Sequence, residues 1–330
     1  MIVPQYWAEA REKCQIKGRQ ITVRRFGWSE LSPEEAEAMA RRRVAQAIAD
    51  ARAGNTITRR EPKVAYNGAN GVPIREEVVA RIGSSIITRN SYGALCLNSP
   101  DTLFADIDFE EPVLHSVALF ISFFLCFLTV FIAINGKSNM AWLLTVLPLI
   151  VTGLAIKQFL NSVRKKLQYA CAGGIESWYR QQIEQFIASQ QGWGLRLYRT
   201  PAGFRLIATH RAFLPDDPEV AMFFKMIGVD PLYQLMCHNQ KCFRARLTAK
   251  PWRIGISDHL RPRPGVWPIN PEKMHLRTQW LENYDKKAAG FAACRFIQNI
   301  GDGPTHPALA EVISLHDSLS RALEIDLEIA

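Results

Sequence analysis

A chain of 330 residues, 48% hydrophobic and 22% charged, is too apolar for a disordered tail and long enough for more than one folding unit. Lys and Arg total 40 against 31 Asp and Glu, a formal charge of +9, which favours anionic partners such as phosphates, nucleic acid or acidic lipid headgroups. The seven cysteines (Cys14, Cys96, Cys126, Cys171, Cys237, Cys242, Cys294) are scattered and odd in number, which argues against a disulfide framework and for a reducing compartment.

The opening "MIVPQYWAEAREKCQ" turns charged too soon for a signal peptide, so export of the N-terminal region is not expected. Next, "RQITVRRFGWS" (19–29) alternates like a half-exposed strand. A helix follows over 32–54, with Ser32 as N-cap, Pro33 at the first helical position, acids in the first turn and Gly54 as stop. Residues 60–79, rich in Gly, Asn and Pro, are expected to form a loop leading into a short helix. "SSIITRNSYGALCLN" (84–98) and "DTLFADIDF" (101–109) then read as two strands separated by the turn signal "NSPD".

Val113–Ile134 is an uncharged apolar run, with His115 its only titratable group, and would rise about 33 Å as a helix, enough for a bilayer core. A second run, Met140–Ile156, can extend to Leu160 if Lys157 snorkels, and Pro148 would kink it. The expectation is a transmembrane hairpin over 113–160 (113–134 and 140–160) between polar parts 1–112 and 161–330. Lys157, Arg164, Lys165 and Lys166 after the second run, against Lys137 alone in the link, place both polar parts in the cytoplasm.

Beyond it, 162–192 is mostly helical in period and ends at Gly192. "WGLRLYRT" and "FRLIATH", joined by "PAG", read as a basic β-hairpin. Residues 216–240 are helical in two pieces, "FRARLTA" (243–249) is a strand, and a capping helix closes the chain. Strand, helix, strand, strand, helix, strand is the ferredoxin-like order, so the fold expected is α+β, a palm-type antiparallel sheet with helices.

Asp106 and Asp108, two apart on a strand, point to one face, and two hard oxygen ligands converging there suit Mg²⁺ or Mn²⁺ on a phosphate substrate. The alternative is a strand end whose acids face water. Glu110 and Glu111 could join the site. Arg199, Arg205, His210, Arg244 and Arg246, with Lys250 and Arg253 following, are the phosphate-binding set, since Arg favours bidentate phosphate contact. A shared metal–phosphate site needs the Asp pair within about 5–10 Å of the Arg199/Arg205/His210 face. In "CHNQKC", Cys237, His238 and Cys242, with Cys294 or His306, match no standard zinc spacing, and zinc is not expected. No Walker loop, GxSxG or HExxH is present.

On "DID" and "YRTPAGFRLIATH" the chain resembles the archaeo-eukaryotic primase/polymerase superfamily, whose palm carries a D-h-D or D-h-E metal motif and a TPSGG-x-H turn. The resemblance covers about half the chain and implies a metal-dependent nucleotidyl- or phosphate-transfer site. Thr200, Pro201, Ala202 and Gly203 match the turn, but Leu206 stands where the family has histidine, and His210 falls four residues later. On "QITVRRFGWS", "TRNSYGA", "FADIDF" and "CFRARLTAKPWR" the chain also resembles uncharacterised bacterial membrane-associated proteins, a likeness that implies no activity; with the two-pass hairpin, the location expected is the bacterial inner membrane. Three functions stay open: a membrane-anchored nucleotide- or nucleic-acid-binding palm, a non-enzymatic scaffold, and a DxD glycosyltransferase.

Overall fold

The computed structural model describes residues 1–16, 18–61, 72–114, 116–135 and 143–330. They fall into two compact units, Met1–Asp108 with Phe186–Ala330, and Phe109–Gln185.

In the larger unit, β1 (Tyr6–Ile16) and β2 (Arg19–Ser29) form an antiparallel ribbon with Tyr6 opposite Ser29. Helix α1 (Pro33–Arg52) starts where the sequence places it, with the Ser32 hydroxyl accepting from Glu35 N at 3.2 Å. Its buried face is mostly alanine, which lets the helix lie close on β2. A Cβ at Gly27 would come 2.1 Å from the Ala36 carbonyl oxygen, so only glycine permits this approach.

β3 (Glu77–Ile82), β4 (Ser85–Arg89) and β5 (Leu95–Ser99) form a meander, followed by β6 (Phe104–Asp108). Two expectations change here. The short helix before residue 80 is instead the start of β3, while 62–71 lie outside the described residues. The single strand over 84–98 is two strands, because Asn90 closes a turn: its N donates to Ala94 O at 3.0 Å and its Oδ1 accepts from Tyr92 N and Ala94 N.

The smaller unit holds α2 (Ser116–Asn135) and α3 (Leu143–Cys171), packed together, and most of α4 (Ile175–Ser189). The break between α3 and α4 sits at Gly173 and Gly174, both at positive φ (84° and 121°), which ends the single helix expected over 162–192. The transmembrane hairpin expected over 113–160 is corrected: among the described residues no helix is long and apolar enough to cross a membrane. Among the described residues of α3, Leu143–Ile156 are apolar, about 14 residues rising about 21 Å, and the rest runs through Lys157, Arg164, Lys165 and Lys166. Helix α2 starts only at Ser116, three residues after the expected Val113. Residues 136–142, including the start of the second expected span, lie outside the described residues. The two-pass inner-membrane location, with both flanks cytoplasmic, rested on that hairpin and is corrected with it.

The chain continues as β7 (Gly194–Arg199), β8 (Gly203–Ala208), α5 (Pro218–Ile227), α6 (Pro231–Gln240), β9 (Phe243–Arg246), α7 (Met274–Ala288), β10 (Phe291–Ala292), β11 (Arg295–Gly301), α8 (Ala310–Ser320) and β12 (Glu328–Ile329). Two four-stranded antiparallel sheets result, β3-β4-β5-β9 and β11-β7-β8-β6, with β10 and β12 forming a short parallel pair. The fold is thus α+β with antiparallel sheets, but the palm-type order is divided between them. β6, β8 and β7 are neighbours, whereas β9 pairs with β5 and lies beside β6 without a ladder. The Tyr233 hydroxyl spans that seam, donating to Phe104 O at 3.1 Å and accepting from Arg244 N at 3.1 Å. Phe104, Phe204, Phe213, Phe223 and Phe243 are fully buried in this unit.

A cationic cavity beside the Asp106 strand

At the seam between the sheets opens a cavity of about 560 Å³, within the range of small-molecule sites. Asp106 and Asp108 line it from β6, Thr200 and Ala202 from the β7–β8 turn, Arg244 and Arg246 from β9, and Lys250 and Arg253 from the segment after β9. Arg75, Glu76, Tyr92 and Asp230 complete the charged and aromatic wall. The period of two along β6 puts both aspartates on this side.

The cross-strand register sets Arg205 directly opposite Asp106. Arg205, 1% exposed, donates from Nε and Nη2 to the two Asp106 carboxylate oxygens at 2.7 and 2.8 Å, a bidentate pair. Its Nη1 donates to Arg246 O at 2.8 Å and lies 3.2 Å from His316 Nε2. The surrounding cavity wall disfavours the Asp106 anion, although 45% of its side chain stays accessible, and the charge and hydrogen bonds of Arg205 outweigh this and hold the carboxyl below the usual carboxylate range.

The network continues inward. His316 Nδ1 sits 3.0 Å from Asp317 Oδ1, which also accepts from the Tyr198 hydroxyl at 2.7 Å, while Oδ2 accepts from Arg196 at 2.6 Å. Burial opposes ionisation of Asp317 too, and the His316 and Tyr198 hydrogen bonds with the Arg196 charge bring its carboxyl down overall. Asp106 and Asp317 therefore give stability that is full above the unfolded carboxyl value of about pH 3.9 and is lost as pH falls through their lower folded values. Asp317→Asn should flatten the acid limb of stability by up to about 1.4 kcal/mol per pH unit. Urea midpoints between pH 2 and 5 check this; an acid limb as steep as in the unsubstituted chain contradicts it.

Arg244 is closed off from a ligand. Its Nη2 donates to both Glu76 oxygens at 2.6 and 2.8 Å, its Nη1 to Asn98 Oδ1 at 2.9 Å, and Glu76 accepts from the Thr88 hydroxyl at 2.7 Å. Arg246, Lys250 and Arg253 differ: among the described residues none has an acid within ion-pair distance. Arg246 donates to Thr248 O at 2.8 Å, and Nη1 of Arg253 is buried with no hydrogen-bond partner among the described residues. Burial lowers the Lys250 pKa and the neighbouring Arg246 and Arg253 charges lower it further; Arg253 is lowered in the same way, by burial and then by Arg246. Asp108, which has no ion pair among the described residues, pulls the other way on both.

The other expected site residues lie elsewhere. Arg199 donates to Gly203 O at 2.9 Å and straps the β7–β8 turn. His210 packs on Trp193 and Phe213, with ring centroids at 4.6 and 5.3 Å, and accepts from Gly194 N at 3.3 Å. Neither lines the cavity. Glu110 pairs with Lys165 at 2.5 Å within the smaller unit. Cys237 and Cys242 are buried, and burial pushes the Cys242 thiol up to about 11. Cys294 lies 3.9 Å from His316 instead of joining them. Among the described residues no group of three or more His, Cys, Asp or Glu is placed to hold a metal ion. Arg75 and Glu76 reach the cavity from a segment whose sequence suggested only loop and helix, and Tyr92 from the turn inside the run read as one strand.

No family model matches this chain, and neither a curated protein nor a solved structure is significantly similar to it.

Proposed function

We propose that the chain binds a phosphate-bearing ligand, a nucleotide in the first instance, in the cavity beside β6. The observation that carries this reading is the group Arg246, Lys250 and Arg253, three cations facing one space without acid partners among the described residues and at a mutual electrostatic cost. An anion entering there relieves that repulsion and satisfies the Arg253 guanidinium. Tyr92, whose ring meets Trp252 edge-on at 5.2 Å, offers an aromatic wall for a base. Because both Asp106 oxygens are engaged by Arg205, Asp108 is the carboxylate free to share a Mg²⁺ or Mn²⁺ ion with a bound phosphate chain. Binding, and not turnover, is what this set of side chains supports.

Nucleoside triphosphate at about 100 times its Kd should stabilise the chain by about 2.7 kcal/mol, a rise of several degrees in Tm. Arg246→Gln/Lys250→Gln/Arg253→Gln should abolish that rise, and thermal melts with and without Mg²⁺ read both. An equal rise in the substituted chain would place the ligand elsewhere.

A further inference from the structure

We propose that the outward face of the β1–β2 ribbon is a second, separate anion surface, fitted to the phosphate backbone of a double-stranded nucleic acid. The register sets Arg11 directly opposite Arg24 and Lys13 opposite Thr22, so three cations share one face. Like charges directly opposed weaken a ladder, and here they are kept. The segment after α1 adds to them: Arg24 N donates to Arg59 O at 2.9 Å, bringing Arg59 and Arg60 alongside.

The result is a groove of about 280 Å³ lined by Arg11, Gln20, Thr22, Arg24, Arg59 and Arg60 among others. Only Glu9 answers these charges at ion-pair distance among the described residues, shared between Arg11 and Arg24. Nη1 of Arg24 takes that contact at 3.2 Å, while its Nε is buried without a hydrogen-bond partner among the described residues. Arg59 and Arg60 are exposed and have no acid partner among the described residues.

The make-up of this face selects the partner. Arginine forks suit phosphate, and Gln20 and Thr22 add neutral polar contacts. None of the exposed large apolar side chains falls in β1 or β2, as insertion into a lipid surface would need. No aromatic ring lines the groove to stack unpaired bases, which disfavours a single strand. The part of the ribbon clear of the buried Trp7 and Phe26, Arg11–Ile16 against Arg19–Arg24, is about 20 Å long, and a two-stranded ribbon of this kind fits the major groove of a duplex.

The full chain should retain a short labelled DNA duplex at about 50 mM salt and lose most of it by about 200 mM. Arg59→Gln/Arg60→Gln, which touches only exposed side chains, should weaken binding about tenfold and reduce the salt slope by about one per phosphate contact removed. Adding Arg11→Gln/Arg24→Gln should weaken it further, with unchanged circular dichroism as the check on folding. Lys250→Gln/Arg253→Gln should leave duplex binding intact, which separates this surface from the cavity. The proposal is overturned if the duplex is not retained at low salt, if Arg59→Gln/Arg60→Gln binds it as before, if a single strand binds more tightly, or if the cavity substitutions abolish binding. It is equally overturned if the ribbon substitutions impair only binding to anionic vesicles.

Discussion

Arg244→Met is expected to cost about 3–5 kcal/mol of folding stability, the penalty for stranding one member of a buried ion pair. The side chains of Arg244 and Glu76 are 12% and 8% exposed, and the pair is bidentate. Without the guanidinium, Glu76 keeps a hydrogen bond from Thr88 but no counter-charge, and Asn98 Oδ1 loses its donor. Replacing both partners together, Arg244→Met/Glu76→Gln, should cost less than the sum of the single changes, because each single change pays for the isolated charge. Urea midpoints across the four proteins of this cycle measure the coupling. A loss below about 1 kcal/mol for Arg244→Met would show the pair to be an ornament of the cavity wall.

Arg205→Leu should be the second most damaging change, at about 2–4 kcal/mol. Arg205 is 1% exposed and joins Asp106, the Arg246 carbonyl and His316, so its removal loosens the seam between the two sheets. The cost stays below that of Arg244→Met because the Asp106 side chain, 45% accessible, can be rehydrated from the cavity. Urea midpoints test this: if Arg205→Leu leaves stability near that of the unsubstituted chain, the Asp106–Arg205 pair does not hold the seam.

How much of this was legible depends on whether the deciding contact is local. Ser32 and Pro33 mark the start of α1, and the two helical pieces read over 216–240 are α5 and α6, divided at Gly228 and Asp230–Pro231, because caps and breakers act within a few residues. The β7–β8 hairpin was legible in the same way. β1 was not: "YWAEAREKCQI" buries only Trp7 and Cys14, and it is a strand because β2 pairs with it along its whole length. The apolar runs after Val113 carried a strong membrane signal, yet how far α3 continues into charged sequence is not encoded in apolarity.

The cavity shows the same division. Two aspartates at period two on a strand could be read from the sequence, and so could the concentration of arginine on β9. That Asp106 meets Arg205 depends on strand register, and that Arg244 is neutralised while Arg246 is not depends on Glu76, which lies 168 positions away in the chain. Non-local pairing thus decides which of the expected arginines face the cavity unpaired: Arg199 and His210 lie outside it, Arg205 and Arg244 are paired, and Arg246 remains, with Lys250 and Arg253 beside it in the proposed anion site.

The central claim is that these three cations hold phosphate. Calorimetric titration of a nucleoside triphosphate into the full chain and into Lys250→Gln/Arg253→Gln, which leaves the Arg205 and Arg244 pairs untouched, tests it most directly. Saturable binding to the first, weakened at least tenfold in the second and falling with added salt, is the predicted result. Equal affinity in both chains, or no heat of binding to either, would contradict it.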